Sequence, residues 1–187
     1  RNHTATHLLH ESLRVILGDH VVQKGSLVNS SYLRFDFTHF SKIEKAELQK
    51  IELEVNAKIL QNIVLNEHIN LPLNTAKKLG AIMLFGEKYG DVVRMIEFDS
   101  SKELCGGTHV SSTGKIGLFK ILSEASISSG IRRIEAVTGV NALNYLNDQV
   151  FLLDEIRNLV KNQDLIAGVK QLVFSNRQLE KKIAELK

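Results

Sequence analysis

Leu33-Arg34-Phe35-Asp36-Phe37 is the stretch that fixes the class of fold, because apolar and charged residues alternate strictly along it. Successive side chains of a strand point to opposite faces, so the pattern predicts a strand with one buried face. Residues 21–28 are also strand-like, and the turn-prone Asn29-Ser30-Ser31 joins them to this strand. The two segments therefore predict neighbouring strands of a mixed or antiparallel sheet.

Helices are predicted on both sides of these strands. Residues 4–17 carry leucine and isoleucine at helical spacing, and Gly18 follows as a stop signal. A longer helix is expected to begin near Ser41, because Ser41 and Glu44 fit a capping box. Its apolar stripe is formed by Leu48, Ile51, Val55, Ile59 and Ile63.

The chain up to about residue 140 mixes helical and extended signals, which predicts an α+β domain with helices packed on the sheet. The remaining expected elements are an extended segment at 63–70, a boundary at Pro72, a short helix at 74–79 ending at Gly80, a loop between Gly86 and Gly90, and strands at 92–98, 117–122 and 131–137.

The segment after Gly139 lacks strand signals and is predicted to be helical from residue 142 to residue 187, with an interruption at Gly168. The chain therefore divides into an α+β domain at 1–140 and a helical extension at 141–187. A short heptad pattern places Asn176 at an a position, where a buried Asn can fix register. Self-association through a coiled coil and a helix folded on its own domain both stay open. The heptad residues are Val169, Leu172, Asn176, Leu179, Ile183 and Leu186.

Composition excludes several classes of protein. Of the 187 residues, 43% are hydrophobic and 24% are charged, so the chain is expected to be folded rather than disordered. No apolar run approaches the roughly 18 residues that a membrane helix needs, so no membrane contact is expected. The single cysteine, Cys105, excludes an internal disulfide and suits the reducing cytoplasm. The net charge of +3 permits an anionic partner without establishing one.

Two short motifs supply the ligands for a metal ion. His3 and His7 lie at i and i+4 of the predicted first helix, so their imidazoles share one face. Cys105 and His109 flank Gly106-Gly107-Thr108, whose glycines let the backbone turn so that both side chains aim at one point. Three nitrogens and one sulfur form a suitable tetrahedral set for one zinc ion. On spacing alone, four protein ligands favour a structural site over a catalytic one.

The remaining histidines lack such spacing. His10 lies a full turn from the His3 and His7 pair and is expected only to pack nearby. The others, which are expected to be surface or core residues, are His20, His39 and His68.

Six blocks of the sequence resemble the editing domain of the alanyl-tRNA synthetases. They follow the family's order, span residues 1 to about 140 and show no departure at the four ligand positions. Free-standing alanyl-tRNA editing proteins and the threonyl-tRNA synthetase editing domain share this layout, but the Cys-Gly-Gly-Thr-His form and the helical tail favour the alanyl enzyme. The blocks are HTATHLLH at 3–10, VQKGSL at 22–27, LRFDF at 33–37, LFGEKYGD at 84–91, CGGTHV at 105–110 and GIRRIEAVTG at 130–139.

The resemblance implies an α+β editing fold, one zinc ion held by His3, His7, Cys105 and His109, and the 3′ acceptor end of tRNA(Ala) as partner. It implies hydrolysis of mischarged Ser-tRNA(Ala) and Gly-tRNA(Ala), with ATP used only in a separate aminoacylation domain of the parent ligase. Since the chain opens on Arg1 rather than methionine, it is expected to be part of a longer protein. A zinc-stabilised tRNA-binding module without hydrolysis and a free-standing editing protein are the alternatives.

The family also assigns roles to residues outside the metal motifs. Thr6 and Gln23 belong to the pocket and form, with Cys105, the expected catalytic set. Without the family they would be interpreted as a helix-surface threonine and an exposed strand glutamine.

Contact with RNA is expected from Arg132 or Arg133. Adjacent residues of a strand point to opposite faces, so at most one of the two touches a given phosphate, and Arg132 is the preferred candidate. The weaker candidates, each of a kind that is more often just a solvated charge, are Lys24, Arg34 and Lys88.

Overall fold

The computed structural model describes residues 1–83 and 88–186. Gly86 of the predicted loop, the first half of the block at 84–91 and Lys187 lie outside the described residues. The expected α+β class, with antiparallel sheets and packed helices, is confirmed. The elements are α1 (Asn2–Leu17), β1 (Gln23–Val28), β2 (Leu33–Thr38), α2 (Lys45–Leu60), β3 (Asn66–Pro72), α3 (Leu73–Lys78), β4 (Val92–Phe98), β5 (Ser101–Leu104), a 3-10 turn (Thr113–Ile116), β6 (Phe119–Ser128), β7 (Ile131–Thr138), α4 (Val140–Val160) and α5 (Leu165–Glu185).

The strands form two antiparallel sheets, one in the order β1-β2-β7-β6 and one in the order β3-β4-β5. The turn between β1 and β2 is closed by Asn29, whose Oδ1 accepts hydrogen bonds from the backbone N–H groups of Ser31 and Tyr32 at 2.8 and 2.9 Å. An Asn side chain that binds the backbone two and three residues ahead favours a tight turn. The predicted strand pair and its turn are therefore both present.

The main core lies between the four-stranded sheet and helices α1 and α2. Leu33, Phe35 and Phe37 of β2 are fully buried, as the alternating pattern predicted. They pack in one cluster with leucines of α1, with Ile51 and Val55 of α2, and with apolar side chains of β4. Both helices are thereby fixed against the strands, and α1 carries two of the predicted metal ligands.

Helix α2 begins later than predicted. It starts at Lys45 rather than near Ser41, and its capping box is formed by Glu44 and Glu47. The hydroxyl of Ser41 instead lies 3.0 Å from Nε2 of His39. Ile43, which is buried in the core, anchors the intervening residues outside the helix.

Strand β5 was not predicted, because its four residues include Lys102 and Glu103 and give no alternating apolar pattern. It is held by backbone pairing with β4, in which Ile96 lies opposite Glu103 and Met95 opposite Leu104. Since side chains alternate along a strand, Glu103 and Leu104 point to opposite faces of the small sheet. Leu104 packs in a second apolar cluster, with Met95 and Ala76.

The chain separates into two compact units, residues 1–143 and residues 144–187. The predicted break at Gly168 is wrong, since Gly168 lies inside α5 and the helices are interrupted at residues 161–164. Lys161 has a left-handed φ of 52°, and Asp164 caps α5 by accepting a hydrogen bond from the N–H of Ala167 at 3.0 Å.

Asn176 is exposed and lies 3.3 Å from Glu180. Among the described helices, none combines the length and apolar character required to cross a bilayer.

Candidate metal centre

The two metal motifs meet in space. His3, His7, Cys105 and His109 each present one ligand atom, and these atoms all lie within 4.8 Å of one another. Sγ of Cys105 is 3.4 Å from Nε2 of His3 and 3.4 Å from Nε2 of His109. Tetrahedral zinc with bonds of about 2.0–2.3 Å would place its ligand atoms roughly 3.3–3.6 Å apart. The donor set and the two distances from Cys105 therefore fit one zinc ion.

Helix α1 presents His3 and His7 from consecutive turns, with ring centroids 5.2 Å apart. Thr4, between them, ties the helix to the second motif. Its Oγ1 accepts a hydrogen bond from the N–H of Val110 at 3.2 Å and lies 3.2 Å from Nδ1 of His109. With Nδ1 of His109 occupied in this way, its Nε2 is left facing Cys105.

The loop after β5 requires a glycine at one position. A Cβ on Gly107 would lie 2.0 Å from Cε1 of His3, so any side chain there would displace a candidate ligand. A Cβ on Gly106 would meet no atom within 4 Å. The N–H of Gly107 also donates to Sγ of Cys105 at 3.4 Å, which stabilises a thiolate.

Arg94 holds this loop from β4 and was not identified from the sequence. Its Nη1 donates to the carbonyls of Cys105 and Gly107 at 2.8 and 2.6 Å, and its Nε donates to Glu67 at 2.6 Å. The available signal was an arginine inside a mainly apolar strand. Its guanidinium fixes the backbone on both sides of Gly106.

Glu103 is a second residue that the sequence did not reveal. Its Oε2 lies 2.6 Å from Nδ1 of His7 and its Oε1 lies 2.8 Å from Nδ1 of His10. His10 is therefore hydrogen-bonded to the carboxylate that also contacts His7, rather than merely packed nearby. The available signal was an acidic residue two positions before Cys105, which alternation along an extended chain places on the same side.

The charges of the site favour a thiolate. Burial opposes ionisation of Cys105, but hydrogen bonds from His109, His3 and His7 outweigh it and lower the pKa of Cys105 to about 3. Burial likewise disfavours a charged His7, yet Glu103 and Cys105 raise the pKa of His7 to about 10. Burial lowers the pKa of His109. These shifts favour a thiolate at Cys105 and a proton on His7, and a metal ion would replace that proton.

The cluster can be reached from solvent, because His3, Cys105 and His109 are only partly buried, whereas His7 is buried. A cavity of about 240 Å³ includes Cys105 and Gly106 in its wall, together with Lys88 and Arg94. A second cavity, of about 260 Å³, has His10, Arg14 and Gln23 in its wall, beside four apolar residues.

The structure brings Cys105 into the cluster but gives Thr6 and Gln23 other partners. Oγ1 of Thr6, a buried residue, donates to the carbonyl of Asn2 at 2.9 Å within α1. Nε2 of Gln23 donates to Oγ of Ser26 at 3.2 Å. Neither bond involves the four metal-site side chains.

The predicted tRNA-binding residues are spread over the domain. Arg132 is paired with Glu124, and its side chain is 11% exposed, so a phosphate would have to displace that carboxylate. Arg133 makes two bonds to Asp36, at 2.7 and 2.8 Å, and Arg34 lies 3.7 Å from the same carboxylate. Lys24 is exposed on β1, and Lys88 lies in the wall of the cavity that contains Cys105.

Comparison with known proteins places this site in a recognised sequence context. Residues 93–135 match the family described as the threonyl and alanyl tRNA synthetase second additional domain. The chain is 57% identical over 187 residues to an alanine–tRNA ligase of Cytophaga hutchinsonii, covering 98% of this chain and 21% of the relative. It is 53% identical to the alanine–tRNA ligase of Flavobacterium psychrophilum, over 100% of this chain and 21% of that relative. It is 52% identical to the alanine–tRNA ligase of Bacteroides fragilis, over 98% of this chain and 21% of that relative. The chain thus spans about a fifth of the length of the curated relatives it matches.

Proposed function

We propose that this chain, which belongs to the alanine–tRNA ligase family and spans about a fifth of the length of the ligases it matches, hydrolyses Ser-tRNA(Ala) and Gly-tRNA(Ala). The observation that carries the proposal is the cluster of three histidines and one cysteine, whose ligand atoms lie within 4.8 Å of one another. Four protein ligands are typical of a structural zinc site, so a catalytic ion would have to exchange one of them or expand its coordination shell. Here three of the four side chains are only partly buried, which supports access by a substrate.

In this proposal, His3, His7, Cys105 and His109 hold one zinc ion. Bound zinc would polarise the ester carbonyl or activate a water molecule. The side chains prepare the site, because hydrogen bonds lower the pKa of Cys105 to about 3 and burial lowers the pKa of His109. Arg94 holds the loop carbonyls, so the ligands of the second motif keep their positions.

Selectivity is the reason for a second, hydrolytic site. A pocket for alanine cannot exclude glycine sterically and rejects an added hydroxyl by only about a hundredfold. A site that hydrogen-bonds the seryl hydroxyl would disfavour its absence by roughly 10⁴-fold. This account applies to Ser-tRNA(Ala) alone, because glycine has no hydroxyl. We assign this recognition to Thr6 and Gln23, with Cys105 as the third member of the catalytic set. The hydroxyl of Thr6 donates to the carbonyl of Asn2, and its oxygen can still accept a hydrogen bond from the seryl hydroxyl. Gln23 lies in the wall of the cavity of about 260 Å³.

The proposed partner is the 3′ acceptor end of tRNA(Ala), and we propose that it is bound in the cytoplasm. The cavity beside Cys105 has Lys88 and Arg94 in its wall, which supports binding of an anionic group there. Further phosphate contacts are proposed for Arg132, Lys24 and Arg34, and they would make tRNA affinity fall with salt. ATP would be used only by the aminoacylation part of the ligase, outside this segment.

We also propose that the helical extension mediates self-association. Apolar side chains of α5 at heptad spacing are about half exposed, including Leu172, Leu179 and Ile183. Contiguous apolar surface of this kind is typical of a face that packs on a partner. The alternative is that α5 folds on its own domain, in which case these apolar residues would not mediate self-association.

The test compares deacylation of seryl-tRNA(Ala) and alanyl-tRNA(Ala) by this chain, with and without a chelator. We expect seryl-tRNA to be hydrolysed, alanyl-tRNA to be spared, and both the chelator and Cys105→Ala to abolish hydrolysis. Circular dichroism on Cys105→Ala separates lost chemistry from lost folding, since structural zinc can contribute on the order of 10 kcal/mol. A folded Cys105→Ala that hydrolyses seryl-tRNA at the normal rate would show the metal role to be wrong. Binding of tRNA without any hydrolysis would favour the zinc-stabilised binding module.

A further inference from the structure

Glu103 is a buried carboxylate that contacts two histidines of one helix. It lies 2.6 Å from Nδ1 of His7 and 2.8 Å from Nδ1 of His10, and each of the three side chains is at most 7% exposed. An ionised carboxylate only accepts hydrogen bonds, so each imidazole carries its proton on Nδ1 and donates it to one oxygen. A single acidic side chain therefore fixes the orientation of both rings.

The two rings differ in what their second nitrogen meets. Nε2 of His7 is left for the cluster formed with His3, Cys105 and His109. Nε2 of His10 has no hydrogen-bond partner among the described residues, and its Nδ1 is held by Glu103. His10 is thus outside the ligand set, and among the described residues the carboxylate is the one group that links its side chain to the site by a hydrogen bond.

The elements that carry this triad are firmly held. His7 and His10 belong to α1, whose neighbouring leucines are fully buried in the main core. Glu103 belongs to β5, where the N–H of Leu104 donates to the carbonyl of Ile82 at 3.0 Å. The ring-to-carboxylate bonds therefore connect two elements that are more than 90 residues apart in sequence.

We propose that Glu103 is a positioning residue for the metal centre, and that His10 supports the centre through it. His10 holds one carboxylate oxygen, so the other stays on Nδ1 of His7 and Nε2 of His7 stays directed at the ion. Without His10, a buried carboxylate oxygen would lose its partner, a loss that generally drives rearrangement. The inference rests on the metal site assumed in the proposed function, but it requires no hydrolytic activity.

The experiment measures zinc affinity of the full chain by competition with a chromophoric chelator. Removal of such an outer partner typically lowers metal affinity by about 10- to 100-fold, which we expect for Glu103→Gln. We expect roughly tenfold weaker binding for His10→Leu, at the lower end of that range. His10→Asn should keep most of the affinity, because its amide N–H can donate from near the position of Nδ1. In the Glu103→Gln background, His10→Leu should cause no further loss, since coupled residues are not additive.

The matched control is His68→Leu, which makes the same chemical change as His10→Leu. It removes a histidine–carboxylate bond of 2.6 Å, from His68 to Glu97, that joins β3 and β4 and involves none of the four candidate ligands. Its zinc affinity should equal that of the unaltered chain. Circular dichroism and thermal unfolding with chelator check the folding of each metal-free variant. If His10→Leu does not fold, His10→Gln replaces it, because its amide reaches the position of Nε2 instead of Nδ1.

Two results would overturn the inference. One is unchanged zinc affinity in folded His10→Leu or His10→Gln, and the other is equal loss in His10→Asn and His10→Leu. These results are distinct from failure of the proposed function. A chain that binds zinc tightly but leaves seryl-tRNA intact would refute editing and leave the role of Glu103 and His10 standing. A chain that binds no zinc would refute both.

Discussion

Gly106 and Gly107 are neighbours in the metal loop, but only Gly107 is under steric constraint. Its substitution by alanine places Cβ 2.0 Å from Cε1 of His3, whereas alanine at Gly106 meets nothing within 4 Å. Overpacking of this kind costs about 1–3 kcal/mol, which corresponds to roughly 5- to 150-fold in a binding constant. We expect Gly107→Ala to lose zinc affinity within this range, as measured by chelator competition.

Gly106→Ala is the internal control for that measurement, since it makes the same chemical change one position away. Its affinity should match the unaltered chain. Equal affinities in both variants would show that His3 can move without cost, and that His3 contributes little to holding the ion.

At the scale of the secondary-structure elements, replacement of Gly168 in α5 by alanine is expected to destabilise the helix rather than stabilise it. Glycine to alanine in a helix interior normally stabilises by about 1 kcal/mol. At Gly168, however, the new Cβ would lie 2.3 Å from Cγ1 of Val160 and 2.8 Å from Cβ of Asn162. We expect Gly168→Ala to lower the stability of the helical unit, by about 1–3 kcal/mol, as measured by urea unfolding followed by circular dichroism.

Ser175→Ala serves as the control within α5, because Ser175 is exposed and alanine is the better helix former. It should raise stability slightly. A gain of stability in both variants would mean that the turn between α4 and α5 does not pack closely against Gly168.

For the whole molecule, the division at Leu143 predicts which properties survive truncation. The first unit keeps all four candidate ligands, and it also keeps Ala142, which is fully buried. A chain ending at Leu143 should therefore bind zinc as tightly as the full chain, by the same chelator competition. Weaker binding would show that the helical unit stabilises the metal centre.

Self-association is tested at the same scale by sedimentation of the full chain. The double variant Leu172→Glu with Leu179→Glu adds two charges to the exposed apolar face of α5. The pair Gln171→Glu with Gln178→Glu adds the same charge at exposed polar positions of the same helix. We expect the leucine variant to sediment as a monomer and the glutamine variant to keep the association of the unaltered chain. Identical sedimentation of all three would contradict assembly through this face.

The sequence was sufficient wherever a structure depends on neighbours within one or two turns of the chain. Helical spacing identified α1, alternation identified the buried face of β2, and two four-residue spacings identified all four side chains of the metal cluster. The start of α2 was misplaced because two capping boxes overlap, and Ile43 in the core decides between them.

The tertiary structure alone decided what surrounds the metal cluster. Glu103 lies on a strand with no apolar pattern, and Arg94 acts through two backbone carbonyls, so neither has a recognisable spacing. His10 changed from a packing residue to a hydrogen-bonding one because Glu103, 93 residues away, comes within 2.8 Å of it. Local periodicity reports which face a side chain occupies. Which distant group meets that face depends on how the helix and the strand pack together.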